Sequence, residues 1–401
     1  MATIEIFIVT IIVTFQRVIL SLVHFLLFEK NITKADRILI LRSSALGDFI
    51  FAIPSMVLLR RMYPNAEIKL LTISTSDDTV RNQVINYVGS SNELPWVSFV
   101  SPSIIDDVFC MTSLNAHYIR RNVAPLIQKF DPDLTVILPQ QGAGNFKGSL
   151  KKLLLLKYLG IRCRVFGWTV KNCFVFKQAQ YEAGLLEHAV MAPFRTVCEI
   201  PHDQPQLNIN IEFPLDVNSD TIRWAQKLWT DNGWDSRRIV AVAPGSIQPH
   251  KKWPIEKFEE LCRSLKENSD VLFIVVGIKD DIELGDRLID SLSGAGLNLA
   301  GKTSVIELAA LLQKCNLLVG NDGGAMHLGS AMGCPVVSIV PGLEYPGSIE
   351  PWHSRELVVR HTVPCAPCYS MTFCPQGHNS CMTDILVKDV ISNCMKVLKK
   401  K

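Results

Sequence analysis

Neither sign of charge predominates in this chain of 401 residues: Lys plus Arg number 41 and Asp plus Glu 38, a formal net charge of +3. That balance removes the general electrostatic argument for a nucleic-acid partner, while leaving room for a local basic site that takes an anionic ligand. No short-period repeat and no low-complexity tract occurs. With 48% apolar and 20% charged residues, the composition is that of a globular protein and excludes a disordered or fibrous chain. Cysteine is not scarce, at 12 residues, but most stand singly in apolar segments, as Cys173, Cys262, Cys315 and Cys334 do. In a cytoplasmic chain such residues read as buried small hydrophobes, not as a disulfide framework. Long apolar runs are sparse; one at the N-terminus is the visible source of a mean hydropathy of +0.20.

That run is Ile4–Phe28, with Thr10, Thr14, Gln16, Arg17, Ser21 and His24 among its polar members. At about 1.5 Å per residue it is long enough, as a helix, to cross a bilayer of roughly 30 Å. Arg17 near its middle would cost roughly 2.5–3.5 kcal/mol there. No small-residue cleavage site follows Phe28, which argues against a signal peptide. Lys30, Lys34 and Arg37 follow the run, so the positive-inside rule puts the rest of the chain on the cytoplasmic side. Two expectations stand for this segment: a membrane-resident helix, spanning or lying in the interface, or a helix packed on the protein's own body.

Beyond it the length favours more than one domain. Short apolar runs alternate with amphipathic stretches in two blocks. The first has strands at Arg37–Leu41, Glu67–Thr72 and Leu134–Leu138 and a helix over Asp48–Met62 that Tyr63-Pro64 ends. The second has strands at Ile239–Ala243, Val271–Val276, Leu317–Gly320 and Val336–Val340, with helices over Ile255–Asn268, Asp280–Leu292, Val305–Lys314 and Gly324–Met332. Such alternation predicts parallel sheets covered on both faces, hence two doubly wound α/β domains. The expected organisation is an apolar helix over 1–34, a first domain over 35–215, a second over 216–382 and a closing helix over 383–401. In open parallel sheets ligands bind where strands end and helices begin, so the loops after the strands carry the candidate site.

The first such loop is Arg42-Ser43-Ser44-Ala45-Leu46-Gly47-Asp48. Gly47 permits close backbone approach. Asp48 at the helix start either complements the helix dipole and caps the helix or serves as a general base. The second is Ala243-Pro244-Gly245-Ser246 running to His250-Lys251-Lys252-Trp253-Pro254. A glycine turn, a hydroxyl and paired lysines suit phosphate oxygens, though a solvated basic loop reads the same way. The third, Asn321-Asp322-Gly323-Gly324-Ala325-Met326-His327, places glycines at a helix N-terminus, where free amides face an anion. Asp322 either caps that helix or binds a ligand hydroxyl, and His327 reads most simply as a buried histidine of the helix. A further cluster, Cys365, Cys368, Cys374 and Cys381 with His378 inside it, departs from the paired C-x2-C spacing of common zinc sites; structural thiols are the simpler reading, a metal site the other. Asp131-Pro132-Asp133 spells a D-x-D, but it precedes a strand and so reads as a turn at the end of the sheet away from ligands.

Together these loops resemble glycosyltransferase family 9, the ADP-heptose:lipopolysaccharide heptosyltransferases. The resemblance rests on ILILRSSALGDFIFAIPSMVLLRRMYP, on the stretch from Gly142 through Lys147 and Ser149 to Gly167, on VAVAPGSIQPHKKWPIEKF and, most specifically, on LLVGNDGGAMHLGSAMGCPVVSIVPG. It implies a GT-B fold of two facing Rossmann-like doubly wound domains, with the closing helix returning to the first domain. It implies inverting transfer of a heptose from ADP-heptose to the lipopolysaccharide inner core, with no metal and no cofactor. Asp48 would be the general base. Ser246, Lys251, Asp281, Asp322, Gly323, Gly324 and His327 would bind the nucleotide-sugar donor, and Ser44, Gly47 and Lys147 would lie on the acceptor side. The partners implied are a nucleotide sugar, a lipid-anchored oligosaccharide acceptor and the cytoplasmic surface of the inner membrane, with no nucleic acid. Two departures stand out: Gly323 occupies a position where the family often has a hydroxyl residue, and the apolar extension before Arg37 is longer than such enzymes usually need. A GT-B transferase using another nucleotide sugar or a protein acceptor, and a catalytically silent membrane-attached homologue, are the competing expectations.

Overall fold

The computed structural model describes residues 2–28, 35–42, 45–73, 100–111, 115–139, 146–167, 181–184, 186–201, 210–370 and 372–399. The chain divides into two compact units, Met1–Pro214 and Leu215–Lys401.

The first unit holds α1 (Ala2–Leu27), β1 (Arg37–Leu41), α2 (Leu46–Met62), β2 (Glu67–Ile73), β3 (Asp107–Met111), α3 (Ala124–Phe130), β4 (Leu134–Ile137), α4 (Phe146–Tyr158), β5 (Arg164–Phe166) and α5 (Met191–Cys198). Its strands form one parallel sheet in the order β3-β2-β1-β4-β5. The central strand, RILIL, buries Ile38, Leu39, Ile40 and Leu41, as a strand covered on both faces must. Helix α2 is apolar all round and packs on α5; its residues from Phe49 to Leu59 are all buried.

The C-terminal half of α1 is docked on this body. Leu20 and Phe28 are buried in the core that α4 shares, with Val23 and Leu27 packed against it. The His24 Nε2 lies 3.0 Å from the Val165 carbonyl oxygen, and Lys157 Nζ donates to the Leu27 carbonyl at 3.1 Å. Among the described residues no helix is long and apolar enough to cross a membrane. Burial holds the His24 pKa below its ordinary value of 6.5; the Val165 carbonyl opposes that shift and the Arg164 charge adds to it. A base whose pKa is depressed in the folded state stabilises docking above its ordinary range, and that contribution is lost as pH falls through it. Lowering the pH from about 7.5 to about 5.5 should therefore speed amide exchange in the C-terminal half of α1, with the sheet unaffected. The variant His24→Gln should flatten that dependence.

The second unit holds α6 (Ser219–Asp231), β6 (Arg238–Ala243), α7 (Ile255–Asn268), β7 (Val271–Val275), α8 (Ile282–Ser291), β8 (Gly296–Asn298), α9 (Val305–Lys314), β9 (Leu317–Asn321), α10 (Gly324–Ala331), β10 (Val336–Ile339) and α11 (Val387–Leu398). Its parallel sheet runs β10-β9-β6-β7-β8, the same winding as the first. The closing helix α11 packs on α7 in the second unit. Its apolar stripe of Val387, Val390, Cys394 and Leu398 is buried in that unit's core. The Arg238 guanidinium fastens its end by donating to the Leu398 carbonyl at 2.9 Å.

Candidate functional site

Strand order reverses at β1/β4 in the first sheet and at β6/β9 in the second, and ligands of doubly wound sheets sit at the carboxyl ends of such pairs. The loops singled out in the sequence leave from three of these four strands.

In the first unit the chain leaves β1 at Arg42, a residue that sequence reasoning passed over. Its buried guanidinium donates to the Leu138 carbonyl at 3.2 Å, to the Pro139 carbonyl and to the backbone carbonyl of Asp48. One buried cation thus ties the exits of β1 and β4 to the first turn of α2. Burial pushes the Arg42 pKa down to about 10, with the Asp48 charge acting the other way. On α4, burial and then the charge of Arg42 lower the pKa of Lys152. Gly47 and Asp48 lie half-buried in the first turn of α2, behind Ala45, which offers no side-chain cap. The Asp48 carboxylate therefore stands where the helix dipole favours negative charge. Lys147 is exposed on the first turn of α4, and Ser44 lies outside the described residues. The D-x-D is a structural turn: Asp131 adopts φ 47° after α3, and Asp133 accepts from the Arg37 amide at 2.9 Å and pairs with its guanidinium at 2.9 Å.

In the second unit the loop after β6 passes close over Asp281. A Cβ on Gly245 would stand 2.1 Å from Asp281 Oδ1, so a glycine is required there by close approach. Asp281 is buried and its Oδ2 accepts from the Ile278 amide at 2.9 Å; burial raises its pKa, with that hydrogen bond acting in the opposite sense. Because a buried carboxyl cannot swing aside, Gly245→Ala should destabilise the unit by about 1–3 kcal/mol. Urea unfolding would read that as a lowered midpoint at unchanged slope.

The same loop continues through Ser246, whose Oγ accepts from the Gln248 amide at 3.4 Å, into a turn at Pro249–Lys251. There Lys251 Nζ donates to Asp322 Oδ2 at 3.1 Å, with side-chain exposures of 15% and 5%. Asn321, also not singled out in the sequence, joins the two loops: its Nδ2 donates to the Pro244 carbonyl at 2.7 Å and its Oδ1 accepts from the Trp253 amide at 3.0 Å. Trp253 is buried against Phe258 and anchors to the Ile385 carbonyl through Nε1 at 3.2 Å. Gly323 is extended and Gly324 opens α10, whose first amides have no intrahelical acceptors. The atom nearest to a Cβ on Gly323 would be 3.9 Å away, so a larger residue has room there. His327 is buried within α10, its Nε2 3.9 Å from Asp322 Oδ1 and so beyond hydrogen-bond reach.

Lys251, Asp322, His327 and the amino end of α10 thus form one constellation, with Ser246 and Asp281 on the flanking loops. A part-buried ammonium beside a helix N-terminus is an anion site. The cysteines lie elsewhere. Cys365, Cys368, Cys374 and Cys381 are free thiols, Cys365 Sγ being 3.7 Å from His378 Nε2. Backbone amides, that of Asn379 first, lower the Cys374 pKa, and burial raises that of Cys381. Among the described residues no group of three or more His, Cys, Asp or Glu is placed to hold a metal ion.

The family model for glycosyltransferase family 9 (heptosyltransferase) matches residues 143–377. The lipooligosaccharide heptosyltransferase 2 of Campylobacter jejuni is 27% identical over 170 residues, covering 41% of this chain and 52% of that protein. The lipopolysaccharide heptosyltransferase 2 of Salmonella typhimurium is 29% identical over 129 residues, covering 31% and 36%. The matches thus span about half or less of those relatives' lengths. Among solved structures, the ADP-heptose lps heptosyltransferase II of Escherichia coli aligns with a TM-score of 0.62 at 20% identity, covering 91% of this chain and 99% of that one. A glycosyltransferase family 9 structure from Veillonella parvula aligns with a TM-score of 0.64 at 18% identity, covering 91% and 98%. The fold is the one those structures share.

Proposed function

Because this chain belongs to glycosyltransferase family 9, the heptosyltransferase family, we propose that it is an inverting transferase that moves a heptose from ADP-heptose to the lipopolysaccharide inner core. The observation that carries this reading is the 3.1 Å Lys251–Asp322 pair at the amino end of α10. In the reaction the bond between the anomeric carbon and the diphosphate oxygen breaks, a bond to the acceptor hydroxyl oxygen forms, and the hydroxyl proton leaves. Negative charge grows on the departing diphosphate, where Lys251, the Ser246 hydroxyl and the first amides of α10 stabilise it more in the transition state than in the ground state. Asp281 takes the ribose, and Asp322, Gly323, Gly324 and His327 take the donor sugar and diphosphate. On the first unit Asp48 accepts the proton, and Ser44, Gly47 and Lys147 serve the acceptor. Lys251 and the amides supply the positive charge, so this reading asks for neither a metal nor a cofactor. The acceptor's lipid anchor puts the reaction at the cytoplasmic face of the inner membrane, where tethering raises effective concentration.

The test is incubation of the purified protein with ADP-heptose and a panel of truncated lipopolysaccharide acceptors. A mass gain of one heptose on one acceptor, with inverted anomeric configuration, is the expected result. Transfer from a UDP- or GDP-sugar instead, with none from ADP-heptose, would replace it with the second reading, another nucleotide sugar as donor. Gly323 favours that alternative, since it leaves the diphosphate one side-chain hydroxyl short of what the family often provides.

A further inference from the structure

Helix α1 is apolar on two opposite faces. One carries Leu20, Val23, Leu27 and Phe28 against the first unit's core. The other carries Phe15, Val18, Leu22, Phe25 and Leu26, which are between 51% and 78% exposed. At 3.6 residues per turn these five fall within an arc of about 100°, away from the docked residues. A contiguous apolar stripe in water marks an interaction surface.

The neighbouring helix says what kind. Helix α4 packs on α1 and leaves Lys147, Lys151, Leu154, Lys157 and Tyr158 exposed. Lys157 reaches the last turn of α1, so its ammonium lies beside that end of the helix. From Leu134 to Phe166 the chain has no acidic residue, yet it carries Lys147, Lys151, Lys152, Lys157, Arg162 and Arg164. From Thr14 to Phe28 it has no acidic residue either. Among the described side chains of α1 and α4 the exposed charges are all cationic, and an apolar stripe beside them complements an anionic lipid surface. A second copy of the chain would bring the same cations against each other across a two-fold axis.

We infer that α1 and α4 together form a docking face for anionic phospholipid. Helix α1 lies in the plane of the interface, its stripe entering the acyl boundary while its other side stays on the body. The lysines of α4 and Arg162 meet the headgroups. This rests on the membrane attachment proposed above and specifies its surface, its orientation and its lipid class.

The experiment uses the full chain and vesicles of phosphatidylcholine with or without phosphatidylglycerol. Binding to the anionic vesicles should be at least about tenfold tighter and should weaken as salt rises. Leu22→Asn with Phe25→Asn should weaken binding to both vesicles by about tenfold or more. Lys151→Gln with Arg162→Gln should weaken binding only to the anionic vesicles, by several-fold. All four residues are exposed, so circular dichroism should be unchanged, as should turnover on a deacylated, water-soluble acceptor. Transfer to that acceptor with vesicle binding equal in wild type and variants would overturn the inference while leaving the proposed reaction standing. A dimer that the Leu22/Phe25 variant converts to monomer, with no vesicle binding by either, would assign the stripe to a second copy instead.

Discussion

Replacing Asp48 by asparagine is expected to lower turnover by a factor of about 10²–10⁴, the contribution typical of a positioned general base. The substitution is close to isosteric, and its structural cost should be small. What Arg42 grips at this position is the backbone carbonyl, not the carboxylate, so the staple between the β1 exit, the β4 exit and α2 survives. The side chain is half-buried and keeps its size on substitution, so the expected change in unfolding free energy is within about 0.5 kcal/mol. The constellation that holds the nucleotide in this reading lies wholly in the second unit, so calorimetry should give the same affinity for ADP in both proteins. The loss should appear in kcat, with KM for the donor little changed. Asp48→Glu, which keeps the carboxylate but displaces it, should recover part of the activity. An asparagine variant retaining a tenth or more of wild-type turnover would remove Asp48 from the proton-transfer step.

What was legible in the sequence divides along physical lines. Strands β1, β6, β7 and β9 announce themselves because a strand covered on both faces must be a continuous apolar run, as in RILIL and RIVAVA. Strands β3, β5 and β8 passed unnoticed. All three are edge strands and two have only three residues, too few to show a pattern, and their pairing comes from neighbours already in place. Loops with chemistry were legible because glycine, lysine and aspartate are unusual immediately after a buried strand. Arg42 and Asn321 were not, since their importance lies in backbone carbonyls and amides that only the fold brings within reach. The docking of the closing helix on α7 was hidden for a related reason. Its amphipathic stripe of Val387, Val390, Cys394 and Leu398 shows that it must dock, and periodicity alone does not name the partner. For α1 the sequence offered a membrane or the protein's own body; the structure gives the body one face and leaves the other to water.

Removing the Lys251 ammonium has two consequences that must be separated. In the folded chain it is the 3.1 Å partner of an Asp322 carboxylate only 5% exposed. Lys251→Met therefore leaves a buried charge uncompensated and should cost about 3 kcal/mol of stability. In the proposed reaction it loses a cation aimed at a leaving diphosphate, worth about 10²–10³ in kcat, the scale on which single preorganised donors act. A fall in activity alone does not say which consequence is being measured. The double variant Lys251→Met with Asp322→Asn discriminates, because it removes the stranded charge along with its partner. Its unfolding midpoint should return most of the way to wild type, since a buried ion pair replaced as a unit costs little. Turnover should stay at or below that of Lys251→Met, because in the proposed reaction Asp322 has its own role at the donor sugar. Lys251→Arg should keep both the pair and part of the rate, as guanidinium also meets phosphate oxygens. If the double variant recovered activity together with stability, Lys251 would be only a structural partner of Asp322, and the positive charge needed by the departing diphosphate would fall to the first turn of α10 alone.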